Sequence, residues 1–458
     1  MKKTVIQGVE LKSRFDPSTV PASSAESLRS RTKLKLHGVD YSIPVTQDML
    51  SQHILFTGGI GTGKTNAVFQ VVEQLVKGMT KDDVMIIFDS KGDFIEEFGN
   101  RVQNPVILSN DGSANVFWNM FNETLIDRNK YGDANVDENL MELANCLFQN
   151  VIEKDSSNPF FPMAAKNVFY GILVSMYKSL YTAHEKSGFK YVTNKLIYAS
   201  SKKSTNDLVD AFIQPRVSDA LKQMVEYLGT YTDGTFKPTN QGSSVMATMR
   251  NVLIDIFKGN FAKDGDFSVR KFIRDKGAKV LFVEYDISQG RVLGPIYKTI
   301  LDLAIKEALS RDRSKGNVYF IIDEFRLLPK LEHMDAGVNL GRSLGAKFVI
   351  SIQNLRQVEA IYGEAEAKSI LSGFVTSVNF RTSDKDTRDY ICGQFGEQYY
   401  EYEVSSLSGG FQRDKGNALL DSDVLTLGLG EAIISVPFLS YNPYKFKFQN
   451  FKEYLRSI

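Results

Sequence analysis

"TGGIGTGKTN", residues 57–66, decides the fold of this chain. Gly58-Gly59-Ile60-Gly61-Thr62-Gly63-Lys64-Thr65 fits the pattern G-x-x-x-x-G-K-[ST]. In that pattern the glycines let the backbone curl until its N–H groups point inward at phosphate oxygens. A helix expected over 66–79 directs its positive end at the same place. Lys64 is then placed for the β- and γ-phosphates of ATP, and the Thr65 hydroxyl for Mg²⁺. Asn66 completes the stretch expected to hold the nucleotide. A bare glycine-rich turn is the alternative. Here, however, the loop sits between a short apolar strand, "QHILFTG", and "NAVFQVVEQLVKGM", whose apolar residues recur at helical spacing.

Moving outward, "DVMIIFD" is the next buried strand, so the chain opens an α/β domain as strand, loop, helix and strand. Two aspartates then compete as the magnesium ligand. Asp89 ends "VMIIFD" and is followed by Ser90 and Lys91; Asp323 ends "VYFIID" and is followed by Glu324. Hydrolysis needs one carboxylate for the metal and a second group to orient the attacking water. Only the second strand end supplies both. Asp323 is therefore expected to bind Mg²⁺ and Glu324 to act as the catalytic carboxylate. Asp89 would end an adjacent strand, with Lys91 and Asp93 lining the nucleotide edge or a subunit contact. This placement points to the RecA-like and FtsK-like NTPases, not the small GTPases.

Two further polar residues belong to the same reading. Gln353 ends "FVISIQ" and is expected beside Glu324, where it would sense the γ-phosphate; a surface strand end is the alternative. Arg342 closes the helix after Asp323. It is read either as an arginine finger for a neighbouring subunit's phosphate or as a plain surface arginine.

The rest of the chain divides by texture. Residues 1–34, with "DPSTVPASSAES", read as a flexible polar arm. "KLKLHGVDYSIP" reads as a strand pair turning near Gly38. Residues 35–110 and 265–458 alternate strands and helices, as a RecA-like ATPase domain does. Residues 111–264 hold helical runs such as "FFPMAAKNVFYGILVSMYKSLYTAHE" with few strand patterns, and are expected to be an inserted all-α domain.

Bulk composition excludes several classes. At 458 residues the chain is too long for one ordinary core. A net charge of +1 means that any nucleic acid must be held by a local basic surface. Candidate grips include Lys202-Lys203, which equally reads as a solvated face. Cys146 and Cys392 make no disulfide framework, and four scattered histidines have no ligand spacing. No apolar run is long enough to span a bilayer, so a cytosolic protein is expected. "GRSLG" at 341–345 matches the serine-hydrolase elbow, but every histidine precedes Ser343, against the order which that fold requires. "LSGGFQ" at 407–412 matches the transporter ATPase signature but lies on the wrong side of Asp323, so a glycine-rich loop is expected.

Taken together, "GGIGTGKTN", "FDSKGDF", "FFPMAAKNVFYGIL", "IIDEFRLLPKL", "GRSLGAKFVISIQN" and "FRTSDKDTRDYI" resemble the coupling ATPases of type IV secretion and conjugation. This is the TraG/TrwB group of the FtsK/HerA motors, and the resemblance runs from about residue 35 to 450. It implies a hexameric ring that hydrolyses ATP to move DNA through a central channel. It carries Lys64 and Thr65 onto phosphate and metal, Asp323 and Glu324 onto the metal-binding strand end, Arg342 onto the finger in trans and Gln353 onto the γ-phosphate glutamine. Such proteins usually carry an N-terminal membrane anchor, and none is read here. Attachment through a secretion-channel, relaxase or nuclease partner is therefore expected, in conjugation, mobilisation or DNA defence. A ring ATPase acting on a protein substrate is the rival reading; a plain metabolic kinase is the weakest.

Overall fold

Seven neighbouring strands of a nine-stranded sheet carry the phosphate loop: β1 (Ile54–Thr57), β2 (Val84–Asp89), β3 (Val318–Ile322), β4 (Ala346–Ile352), β5 (Thr376–Phe380), β6 (Glu431–Val436) and β7 (Ser440–Lys447). In this computed structural model they lie in the order β7-β6-β5-β1-β4-β3-β2. The five from β5 to β2 are mutually parallel, and β6 and β7 add an antiparallel edge. Every residue of β1 to β5 is buried. Near-continuous apolar runs are what parallel strands covered on both faces require. The structure describes residues 3–20, 32–155, 157–181, 192–214, 219–288, 290–310, 316–404 and 410–457.

Register decides which residues meet. Ile322 of β3 pairs with Ile350 of β4, and Ile352 of β4 with Thr57 of β1. The residues just past these strand ends are Asp323, Gln353 and Gly58, so all three leave the same edge of the sheet. Ligands of open α/β sheets bind at that carboxyl edge. β4 separates the loop strand from the strand ending in Asp323, as a RecA-like core demands. Helix α1 (Lys64–Gly78) links β1 to β2, α2 (Asp93–Phe98) follows β2, and α3 (Met334–Leu344) runs back from β3 to β4.

The chain packs as two units: residues 1–105, 276–280 and 308–458, and residues 106–275 with 281–307. These bounds differ from the expected 110/111 and 264/265, chiefly because residues 281–307 go with the helical unit. The reason is a buried ionic knot. Glu307 is fully buried and accepts from Arg270 Nε at 2.9 Å and Arg274 Nε at 2.6 Å; Arg270 and Arg274 also reach Asp127 at 3.0 and 2.7 Å. Separating these charges would leave Glu307 unpaired in the core, at a cost of about 3–5 kcal/mol.

Two expectations need correction. The N-terminal arm is not flexible throughout: Lys3–Gln7 is a strand pairing antiparallel with Glu397–Val404, which pairs in turn with Gly410–Asn417. Phe15 also packs edge-on against Tyr444, with centroids 5.6 Å apart. Lys3–Gln7 is only five residues long and leaves Ile6 exposed, and in Glu397–Val404 the polar Gln398 is buried, so no apolar alternation marks these strands. The helical unit is also not all-α. It contains the hairpin Gly229–Thr232 and Thr235–Pro238, turning at Asp233-Gly234, both with positive φ.

Candidate active site

The phosphate loop is held from outside by its neighbours. Gly58 N–H donates to Ile352 O (3.2 Å), Gly59 N–H to Arg381 O (2.8 Å), and Gly430 N–H to Thr62 O (3.0 Å). The Thr62 hydroxyl donates to Gly59 O at 2.9 Å. Gly58 and Gly63 are obligatory: at φ 154° and 108°, a Cβ would lie 2.6 Å from Phe380 Cβ and 3.2 Å from Gly430 Cα. Ile60 sits exposed at the loop tip and Gly61 beside it takes φ 69°. The loop then runs into α1, whose first turn presents unpaired N–H groups.

Lys64 is buried, and its Nζ donates to Gly58 O at 2.6 Å and Gly59 O at 2.8 Å. Burial lowers its pKa, while Asp323 and Glu324 oppose the shift. The Thr65 hydroxyl donates to Asp323 Oδ2 at 3.1 Å, across 258 residues of sequence. Burial raises the Asp323 carboxyl above its usual range, against neighbouring hydroxyls. Its Oδ1 is buried and makes no hydrogen bond among the described residues. A hard cation beside these two oxygens would relieve that desolvation, so the pair fits Mg²⁺. Asn66 faces elsewhere. Its side chain donates to Gln449 O (3.0 Å) and accepts from Phe451 N–H (2.7 Å), tying α1 to the C-terminal segment.

Glu324 stands next to Asp323, mostly buried, and Gln353 Nε2 donates to both its oxygens at 3.0 and 3.1 Å. Lys91 Nζ lies 3.5 Å from Oε1, and Arg326 Nε 3.5 Å from Oε2. The sequence placed Gln353 here but did not single out Arg326. Asp89 is occupied differently. Its two oxygens accept four backbone N–H groups, from Lys91 (3.2 Å), Gly92 (2.9 Å), Phe94 (2.9 Å) and Ile95 (3.0 Å). It is the cap of α2, with no oxygen spare for a metal.

Arg342 lies at the other edge of the sheet. The Gln52 amide, with its oxygen facing the guanidinium, accepts from both terminal nitrogens at 3.0 and 3.2 Å. Gln52 precedes β1 and Gly58 follows it, so the two edges are separated by about 13 Å at the usual rise per strand residue. The structure therefore does not bring Arg342 to its own phosphate loop. In "GRSLG", Gly345 takes φ 85° and ends α3, and Ser343 donates to Leu340 O. Gly410–Gln412 of "LSGGFQ" begins a strand; residues 407–409 lie outside the described residues. In the second unit Lys202 Nζ sits 3.7 Å over the Tyr198 ring, and Arg250 Nη2 donates to Lys203 O at 2.8 Å. Among the described residues no cluster of three or more His, Cys, Asp or Glu could hold a metal, and no helix is long and apolar enough to cross a membrane.

The chain is similar to known proteins over most of its length. It is 21% identical over 380 residues to the coupling protein TraD of Escherichia coli, covering 80% of this chain and 47% of that one. It is 21% identical over 397 residues to the type IV secretion system-coupling protein VirD4 of Bartonella henselae, covering 84% of this chain and 59% of that one. It thus spans about half the length of these relatives. The solved bacterial conjugative coupling protein TrwBdeltaN70 superposes with a TM-score of 0.72 at 19% identity, covering 97% of this chain and 94% of that one. The same fold has been solved as the plasmid coupling protein TrwB with ADP and Mg²⁺, at a TM-score of 0.69 and 19% identity. The type IV secretion-system coupling protein DNA-binding domain model matches residues 40–423, more than half of the chain, and the chain belongs to that family.

Proposed function

We propose that this chain is an ATP-hydrolysing motor that moves DNA, working as a ring, a hexamer by the family's pattern, with ATP at subunit boundaries. The observation carrying the proposal is the meeting of Lys64, Thr65, Asp323 and Glu324 at one sheet edge, with the Thr65 hydroxyl 3.1 Å from Asp323. The backbone N–H groups of residues 60–65 and the Lys64 ammonium bind the phosphates. Thr65 and Asp323 would hold Mg²⁺, which when bound neutralises charge on the β- and γ-phosphates. Glu324 accepts a proton from, and so orients, the attacking water. Gln353, bonded to both Glu324 oxygens, is the group through which loss of the γ-phosphate reaches β4.

The position of Arg342 at the far sheet edge supports a role on a neighbour's nucleotide and not on its own. The family match and the coupling proteins TraD and VirD4 support DNA as cargo and a type IV secretion or conjugation apparatus as the setting. The test is ATP hydrolysis with and without single- and double-stranded DNA at low salt, for wild type and Glu324→Gln. DNA should raise the wild-type rate, added salt should weaken that stimulation, and Glu324→Gln should abolish hydrolysis while retaining nucleotide. A rate indifferent to both forms of DNA would refute the motor.

A further inference from the structure

The carboxylate assigned to catalysis is bracketed by two cations on opposite sides. Gln353 occupies the middle, bonding both Glu324 oxygens, while Lys91 pairs with Oε1 and Arg326 with Oε2, each at 3.5 Å. The two cations differ in anchorage. Arg326 is two residues along the same segment and moves with Glu324. Lys91 comes from the loop after β2, which is distant in sequence and fixed independently.

That loop is built to hold Lys91 still. Asp89 gathers four backbone N–H groups, including that of Lys91 itself, and Gly92 at φ 78° turns the chain into α2. Without Lys91, so much capping would serve only a six-residue helix. The partner end of the pair is also unlike an ordinary surface salt bridge. The Glu324 side chain is only 10% exposed, against 47% for Lys91. A pair with one desolvated end is less screened than a fully solvated one, whose worth is close to nothing.

We propose that Lys91 is a positioning residue for hydrolysis: it holds the Glu324 carboxylate in place against repulsion from the triphosphate, without itself binding the nucleotide. This deepens the ATPase reading above and rests on it. The aspartate that ends the first buried strand after the phosphate loop thus serves catalysis through its neighbour's ammonium, not through a metal. A carboxylate displaced by about 1 Å from its water can lose up to a hundredfold in rate. Loss of one of three holding contacts is expected to cost about tenfold.

The experiment is steady-state ATP hydrolysis by the full chain with DNA present, for wild type, Lys91→Ala, Lys91→Arg and Glu324→Gln. Affinity for a fluorescent ATP analogue and the thermal midpoint are measured on the same samples. Lys91→Ala should lower kcat about tenfold with KM and analogue affinity within about twofold of wild type, and Lys91→Arg should recover kcat to within about threefold. The thermal midpoint should move by no more than about 2 °C. An unchanged kcat in Lys91→Ala beside an inactive Glu324→Gln overturns the role of Lys91 and leaves the ATPase reading standing. Loss of analogue affinity matching the loss of rate also overturns it, since Lys91 would then contact the nucleotide. Undiminished hydrolysis by Glu324→Gln overturns both.

Discussion

His53 should make this protein acid-sensitive in a defined window, and the size of the effect follows from its surroundings. The ring is buried, with Nε2 2.9 Å from Val338 O, and Nδ1 receives the Phe348 N–H at 3.1 Å. These partners assign the neutral tautomer with its proton on Nε2. Adding a proton to Nδ1 would set two donors face to face in a dry site. Burial is the main cause that lowers the pKa from 6.5 to about 4. The folded pKa lies below the unfolded one, so the stabilisation is fully present above pH 6.5 and is lost as pH falls toward 4. Linkage gives a loss of about 2 kcal/mol between pH 7 and pH 5, out of about 3 kcal/mol available in all. The direct assay is ring-proton NMR titration of histidine-labelled protein, simple with four histidines. His53→Asn assigns the resonance, since asparagine tolerates the φ of 61° at that position. The companion assay is urea unfolding by circular dichroism at pH 7 and pH 5; the variant should lose about 2 kcal/mol less than wild type over that range. A His53 resonance titrating near 6.5, or equal pH slopes for the two proteins, would refute the reasoning.

Three further outcomes are expected. Glu123 is buried and accepts from Trp118 Nε1, the Ser268 hydroxyl and the Val269 and Arg270 amides; Glu123→Ala strands those donors and should cost about 3 kcal/mol or more, read by the fluorescence of the single tryptophan in urea. Gly58→Ala drives a methyl into Phe380 and should weaken binding of a fluorescent ATP analogue at least about tenfold, with about 1–3 kcal/mol lost in stability. Asp89→Ala releases four amides and should cost about 2 kcal/mol by urea unfolding; because it also frees Lys91, its kcat should fall as in Lys91→Ala, and a wild-type kcat would contradict the coupling.

How much of this was readable beforehand depends on how far apart in sequence the partners lie. The phosphate loop was legible because its glycines, lysine and threonine are local requirements of one backbone shape. Asp323 was separable from Asp89 because the discriminating residue, Glu324, is its immediate neighbour. Gln353 was legible because its strand end could be counted from the apolar run before it. Lys91 was seen but given no definite task, since its partner stands 233 positions away and no periodicity links them. The boundary of the helical unit was missed for the same reason: Glu307 chooses its side through arginines at 270 and 274. The strand Lys3–Gln7 was missed because it is short, its partner strand begins only at Glu397, and its Ile6 is left exposed, so no buried alternation marks it.

The outer fastening of the phosphate loop has a practical corollary for anyone shortening this chain. Residues 381, 430, 449 and 451 each hold, by a backbone group, either the loop or the first turn after it. Phe451 also lies edge-on against Phe69 of α1, 5.3 Å between centroids. The segment from Gln449 to Phe451 is thus a brace on the nucleotide cradle. A deletion ending at Gln449 should loosen nucleotide binding although no residue removed touches a phosphate, and affinity lost in such a truncation would mark a slackened mount, not a missing contact.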